Sequence, residues 1–258
     1  MSEDPTHYER ARDFVLPRVR AVESAAWTLG MFGAVRAHQK LADEGREQAI
    51  FDRYTRRWAQ GLLNISGTEV VMASPPGRPA SGPRMVVANH RAAMDIPIML
   101  AHFGGSIVSR DDLADWPVLG PGAKSAGTIF VNNEDRASTV RALRTIRDTL
   151  KAGRQVILFP EGTTFDGDEV RPFFRGALSV ARTAKVPILP VGLAYPPGTE
   201  YVEDEFMAHA GKYAANPAVE VGMAVGEEEY APSGGAALAE HFQARVQELV
   251  HRARKAVG

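Results

Sequence analysis

The chain has 258 residues, 45% of them hydrophobic and 24% charged, with a formal net charge of -1. That length accommodates one large α/β domain with a helical appendage, and the balanced charge gives no support to a nucleic-acid partner. There is no cysteine, which excludes disulfides, thiolate metal sites and cysteine nucleophiles together and is compatible with a reducing compartment.

The amino terminus, MSEDPTHYERARDF, carries acidic residues where a secretory signal has a basic segment followed by an apolar run, so no export signal is expected. The uncharged stretch at residues 24–35, SAAWTLGMFGAV, is well short of the roughly 20 apolar residues a helix needs to cross a bilayer. The expectation is a soluble or peripheral protein on the cytosolic side of a membrane. Residues 7–65 read as helical: Pro17 interrupts a first segment, 24–42 form a second and 44–64 a third, in which Ile50, Tyr54, Trp58 and Leu62 recur at helical spacing. One reading is a hairpin packed on the main domain with a solvated face carrying Arg46, Arg53, Arg56 and Arg57. A second adds membrane contact, with Trp27, Leu29, Met31 and Phe32 entering the interface while nearby arginines meet anionic headgroups.

From Thr68 the pattern changes to short apolar runs, TEVVMA, RMVVAN, SIVSR, GTIFV, RQVILF, PILPVGLA and VEVGMAV, alternating with helical stretches at 95–102, 137–151, 175–184, 201–213 and 236–255. This alternation predicts an α/β fold, a mixed and largely parallel sheet flanked by helices, with an N-terminal helical hairpin. Residues 74–83, SPPGRPASGP, read as a turn-rich loop. No loop has the length of a domain linker, so residues 1–66 are expected to form a helical membrane-associating element on a single domain at 67–258.

The string VVANHRAAMD at 86–95 ends an apolar strand in Asn89-His90 and places a carboxylate, Asp95, five positions after the histidine. On a continuous helix the two side chains would point about 140° apart. Across a strand-to-helix corner they can meet, and Asp95 would then fix the tautomer of His90 and stabilise its imidazolium, the arrangement of a general base with its orienting partner. Asn89 would hold the corner. The same string also fits a histidine that merely packs or caps a strand end. A second string, VILFPEGTTFDG at 156–167, is another strand ending in a sharp turn, and ends of this kind gather along one edge of a parallel sheet. There Glu161, Gly162, Thr163 and Thr164 would present a carboxylate, backbone N–H groups and hydroxyls suited to a headgroup or an oxyanion, or simply form a tight capped turn.

These strings resemble the motifs of the glycerolipid acyltransferase superfamily, which includes the lysophosphatidic acid acyltransferases. His90 to Asp95 match its H-x4-D motif and Phe159 to Thr163 its F-P-E-G-T motif, while GTIFVNNEDR at 127–136 and VPILPVGL at 186–193 are similar to its intervening and closing blocks, in the same order. The resemblance implies an O-acyltransferase that moves a fatty acyl group from acyl-CoA or acyl carrier protein onto the hydroxyl of a lysolipid. The acceptor would be lysophosphatidic acid, another lysophospholipid or a lyso-lipid without phosphate. It implies His90 as base and Asp95 as its partner, Arg136 on an acceptor phosphate, Glu161 and Gly162 in acceptor binding, and Pro187 shaping an apolar wall. Asn133 stands where the family carries its first arginine, with Arg175 and Lys124 as spare cations. No cofactor is expected beyond the thioester co-substrate. A lipid-binding protein of the same fold that has lost turnover is the alternative.

Three other patterns carry no chemistry. GPGAKS at 120–125 departs from a P-loop at Ala123 and lacks its preceding strand, and there is no G-x-S-x-G elbow. The remaining histidines, at 7, 38, 102, 209, 241 and 251, lie apart, so no metal site is expected.

Overall fold

The structure, a computed structural model, describes residues 7–42, 45–73, 82–115, 120, 123–124, 127–132, 134–201, 206–231 and 235–258. Most of the expected 74–83 loop, parts of GPGAKS and Asn133 lie outside the described residues. Helices α1 (His7–Lys40) and α2 (Glu47–Ser66) open the chain as an antiparallel hairpin. The expected break at Pro17 is absent: α1 runs through it. A proline inside a helix removes one N–H and disturbs the carbonyls of the turn before it. Here the Arg18 guanidinium donates to the Phe14 carbonyl at 2.5 Å. Arg20 then reaches across to the carbonyls of Ala214, Asn216 and Pro217, so long-range anchoring outweighs the local cost.

The alternating half contains strands β1 (Thr68–Met72), β2 (Met85–Ala88), β3 (Ser106–Arg110), β4 (Ile129–Val131), β5 (Val156–Leu158), β6 (Ile188–Ala194) and β7 (Val219–Val225). Between and after them come α3 (Asp95–His102), α4 (Arg136–Lys151), α5 (Arg175–Ala184), α6 (Phe206–Ala215) and α7 (Ala236–Val257). All seven strands join one sheet in the order β1-β7-β6-β2-β5-β3-β4, parallel throughout except for the antiparallel pair β6 and β7. Of the helix expected at 201–213, the described part is Phe206–Ala215, and residues 202–205 lie outside the described residues.

The central strands are apolar on both faces because helices cover both faces. On one side Leu63 of α2, Ile98 of α3 and Tyr213 of α6 pack with Val86 and Ile157; on the other, Ile146 of α4, Leu178 of α5 and Phe242 of α7 pack with Met85, Val87 and Leu158. Strand β2 lies between β5 and β6, with Met85 level with both Val156 and Ile188. Since all three run the same way, their carboxyl ends open onto one edge, where their following segments converge.

Helix α7 lies so close to β6 and β7 that two glycines are required. A Cβ on Gly192 would sit 2.3 Å from backbone atoms of Leu249 and Val250, and one on Gly222 would sit 2.3 Å from the Ala253 carbonyl oxygen. Gly192→Ala is therefore expected to cost about 1–3 kcal/mol, since the clash is with helix backbone and not with a movable side chain. Gly211→Ala, on α6 with open space around it, is expected to be neutral or stabilising by up to about 1 kcal/mol. Urea denaturation of the two variants checks both.

Candidate active site

His90 follows β2 and Asp95 is the first residue of α3, so the pair spans the strand-to-helix corner. Asp95 is fully buried. Its Oδ2 accepts from the backbone N–H groups of Arg91 (2.6 Å) and Ala92 (2.9 Å) and lies 2.7 Å from His90 Nδ1. Its Oδ1 accepts from the Tyr195 hydroxyl at 2.6 Å. The corner thus supplies two amide donors to a charge that burial alone would penalise, and the first turn of a helix is a favourable place for it. A carboxylate can only accept, so the proton between the partners sits on Nδ1 and Nε2 keeps its lone pair. The imidazole is 19% exposed and stacks on the ring of Phe159, centroids 4.2 Å apart and planes within 10°. Its plane is therefore set from below by an aromatic ring and from one edge by a carboxylate.

The second string meets the first through Glu161, but its carboxylate does not face the cleft. It is buried, with Oε2 accepting from the His90 N–H (2.6 Å) and from Arg91 Nη1 (2.9 Å), and Oε1 from the Arg171 N–H (2.8 Å). Arg91, also fully buried, spends its other donors on the carbonyls of His90, Gly167 and Glu169. Glu161 therefore fixes the His90 corner and the turn to one another, which corrects its assignment as an acceptor ligand: both of its oxygens are already taken. A buried pair of this kind is strongly destabilised if one member is removed. Gly162 turns the chain at φ 79° and its N–H goes back to the Phe159 carbonyl, while the Phe165 N–H reaches the His90 carbonyl. Between those two anchors the N–H groups of Thr163 and Thr164 meet no acceptor among the described residues, and Thr163 is exposed.

Asn89 is likewise not a substrate ligand. It is fully buried, and its side-chain amide exchanges two 2.8 Å hydrogen bonds with the backbone of Leu193, tying β2 to β6 beside the site. Arg136 and Arg175 are the exposed first residues of α4 and α5, both following strands that end on the site's edge. Neither hydrogen-bonds to the dyad. Pro187 precedes β6 and accepts from the Met85 N–H, at the opposite end of β2 from His90, so it forms no wall of this cleft. Lys124 is exposed and lies 3.9 Å from Asp115.

The hairpin residues divide. Met31 and Phe32 point inward and, with Thr55, Trp58 and Leu62 of α2 and Ala93 and Met94 of the catalytic corner, line an apolar cavity of about 210 Å³. The Trp27 indole lies over Gly61 and donates to the Trp58 carbonyl. Only Leu29 of the four projects wholly to the outside, on a stripe with Val15, Val19 and Val22. The four residues thus do not form one face: on a helix that turns about 100° per residue, Leu29 points about 160° away from Trp27 and Met31. Tyr195 and Arg91 were not singled out by the sequence, and Phe159 only as the first residue of the F-P-E-G-T match. Arg91 left a faint signal as a charge inside the corner; Tyr195 left none beyond being the first aromatic after an unbroken apolar strand.

The acyltransferase family model matches residues 63–194, the stretch from the end of α2 to the end of β6. A lyso-ornithine lipid O-acyltransferase of Brucella abortus is 31% identical over 193 residues, 66% of this chain and 72% of the relative. A 1-acyl-sn-glycerol-3-phosphate acyltransferase of Neisseria meningitidis is 35% identical over 179 residues, 68% of this chain and 67% of the relative. The crystal structure of the 1-acyl-sn-glycerophosphate acyltransferase PlsC from Thermotoga maritima superposes with a TM-score of 0.76 over 95% of this chain and 98% of that one, at 21% identity, which establishes the shared fold. The family match spans the corner, the turn and the strands that hold them, and by it this chain belongs to the acyltransferase family and is an O-acyltransferase.

Proposed function

We propose that the protein transfers a fatty acyl group from an acyl thioester, carried by CoA or by acyl carrier protein, to the hydroxyl of a lysolipid, with His90 as general base. The observation that carries this reading is the 2.7 Å contact of His90 Nδ1 with buried Asp95, which leaves Nε2 as the basic atom on a partly exposed ring. The acceptor hydroxyl oxygen attacks the thioester carbonyl as its proton passes to Nε2; the tetrahedral oxyanion collapses, the C–S bond breaks, and the thiolate takes the proton back from His90. The N–H groups of Thr163 and Thr164 supply donors to the oxyanion. No covalent enzyme intermediate is required. Relatives named for a phosphate acceptor and for an ornithine lipid support a lysolipid acceptor in general. Arg136 and Arg175, exposed at the rim, are the cations suited to an acceptor phosphate.

The apolar cavity is the proposed seat of the acyl chain. Its lining includes Ala93 and Met94, which lie between His90 and Asp95 in sequence, together with residues of α1, α2 and α3, and in this reading a chain lying in it presents its carbonyl end to His90. The outward stripe of α1 is the proposed membrane contact: Val15, Val19, Val22 and Leu29 are all exposed, with Arg18 and Arg36 alongside to meet anionic headgroups. No helix among the described residues is long and apolar enough to cross a membrane. A peripheral position on the cytosolic leaflet, where acyl thioesters are made, completes the reading.

His90→Ala is expected to lower kcat by about 10²- to 10⁴-fold, followed as thiol release from an acyl-CoA in the presence of a lysolipid; undiminished turnover would refute the general-base role. Val35→Trp, which fills part of the cavity, is expected to shift the preferred donor to shorter chains in a competition between acyl-CoAs of different length. An unchanged chain-length profile would place the acyl group elsewhere. Replacing Val15 and Val22 with aspartate is expected to reduce co-sedimentation with vesicles containing anionic lipid by about tenfold or more, with the circular dichroism spectrum preserved.

A further inference from the structure

The Asp95 carboxylate is shared. One oxygen takes His90 and two backbone N–H groups; the other takes Tyr195 at 2.6 Å. From the acyl-transfer reading above and this geometry, we propose that Tyr195 is a positioning residue that locks the Asp95 carboxylate and, through it, sets the orientation and proton affinity of His90. Nothing in the H-x4-D motif contains it. It comes from the far end of β6, brought level with the corner by the parallel register that pairs Ala88 with Val191.

Three features support the assignment. Tyr195 and Asp95 are 1% and 0% exposed, so no water competes for the carboxylate oxygen and the hydrogen bond acts at full strength. The tyrosine is itself fixed: its carbonyl accepts from Arg254 Nη2 at 2.6 Å, and the same guanidinium grips Asp168 through two 2.8 Å contacts. This ties the tyrosine to α7 and to the loop that follows the glycine turn. Finally, the hydroxyl remains a donor throughout the working range, because burial first, and the neighbouring Asp95 charge next, push its ionisation well above the ordinary tyrosine range.

The consequence is electrostatic. A hydroxyl donating to Oδ1 withdraws charge from the carboxylate, so Asp95 stabilises the His90 imidazolium less than a bare carboxylate would. That keeps Nε2 able to surrender its proton to the departing thiolate. The ionisable groups packed around this cluster are Arg91 and Glu161, which pair with each other, Tyr213 of α6, Glu200 and Arg254. Apart from the Arg91 backbone N–H, which donates to Oδ2, none of them touches the Asp95 oxygens, and Oδ1 takes the Tyr195 hydroxyl, so a change at Tyr195 is read directly by Asp95.

The test measures kcat, KM and the acid limb of the kcat/KM profile for the wild type, for Tyr195→Phe and for protein carrying 3-fluorotyrosine at position 195. Tyr195→Phe is expected to lower kcat by about ten- to a hundredfold with KM little changed, and to move the acid limb to higher pH. Fluorotyrosine keeps the shape and is the stronger donor, so it is expected to move the limb to lower pH; it also decides the matter should the phenylalanine variant fail to fold. Unmoved limbs in the variants that fold, accompanied by nothing more than lost thermal stability, would overturn the role of Tyr195. Turnover that survives His90→Ala would instead remove the general-base reading itself, so the two failures are distinguishable.

Discussion

The parallel placement of β2 between β5 and β6 is the constraint on which the site depends. It makes three apolar strands end on one edge, so His90, the glycine turn and Tyr195 converge from positions as far apart in sequence as 90 and 195. An antiparallel neighbour on either side would send one of these groups to the other end of the sheet. The antiparallel pair of β6 with β7 lies one strand further out, where it leaves this convergence intact. The glycines that let α7 approach β6 and β7 belong to the same constraint, because Arg254, on that helix, holds the Tyr195 backbone in place.

Two buried carboxylates divide the work at this edge. Asp95 faces the imidazole and is satisfied by two amides and a phenol. Glu161 faces the backbone, accepting from His90 N–H and Arg171 N–H and pairing with Arg91. The first orients a side chain and the second fixes two chain segments to one another. Each charge is costly to bury and becomes tolerable because its donors are pre-arranged by the corner and the turn. The same arrangement makes the imidazole's position hard to disturb.

The helical hairpin has two apolar surfaces. Its inner surface, with Met31, Phe32, Tyr54 and Trp58, closes over α3 and leaves an apolar space beside the His90–Asp95 corner. The outer stripe of α1 is left exposed among the described residues. Under the proposed function a water-insoluble chain fills the first and a lipid surface meets the second.

Much of this molecule was legible in its sequence. The seven apolar runs that predict strands all form strands, the helical hairpin is present, and the His90–Asp95 pair meets across a corner as a five-residue spacing allows. These features depend on neighbours along the chain, through periodicity, strand length and turn chemistry. What the sequence misassigned depends on distant partners. Glu161 and Asn89 are polar residues next to a catalytic motif, and nothing local distinguishes a side chain that faces a ligand from one consumed by Arg91 or Leu193. Pro17 should break a helix, yet contacts some two hundred residues away keep α1 continuous. Tyr195 acquires its place at Asp95 only from strand register, and Phe32 its inward direction only from the packing of α2 and α3. Local chemistry thus determined the elements and the dyad, while the direction in which each polar or apolar side chain is satisfied was decided by the tertiary structure, because hydrogen-bond and packing partners are fixed only when remote segments meet.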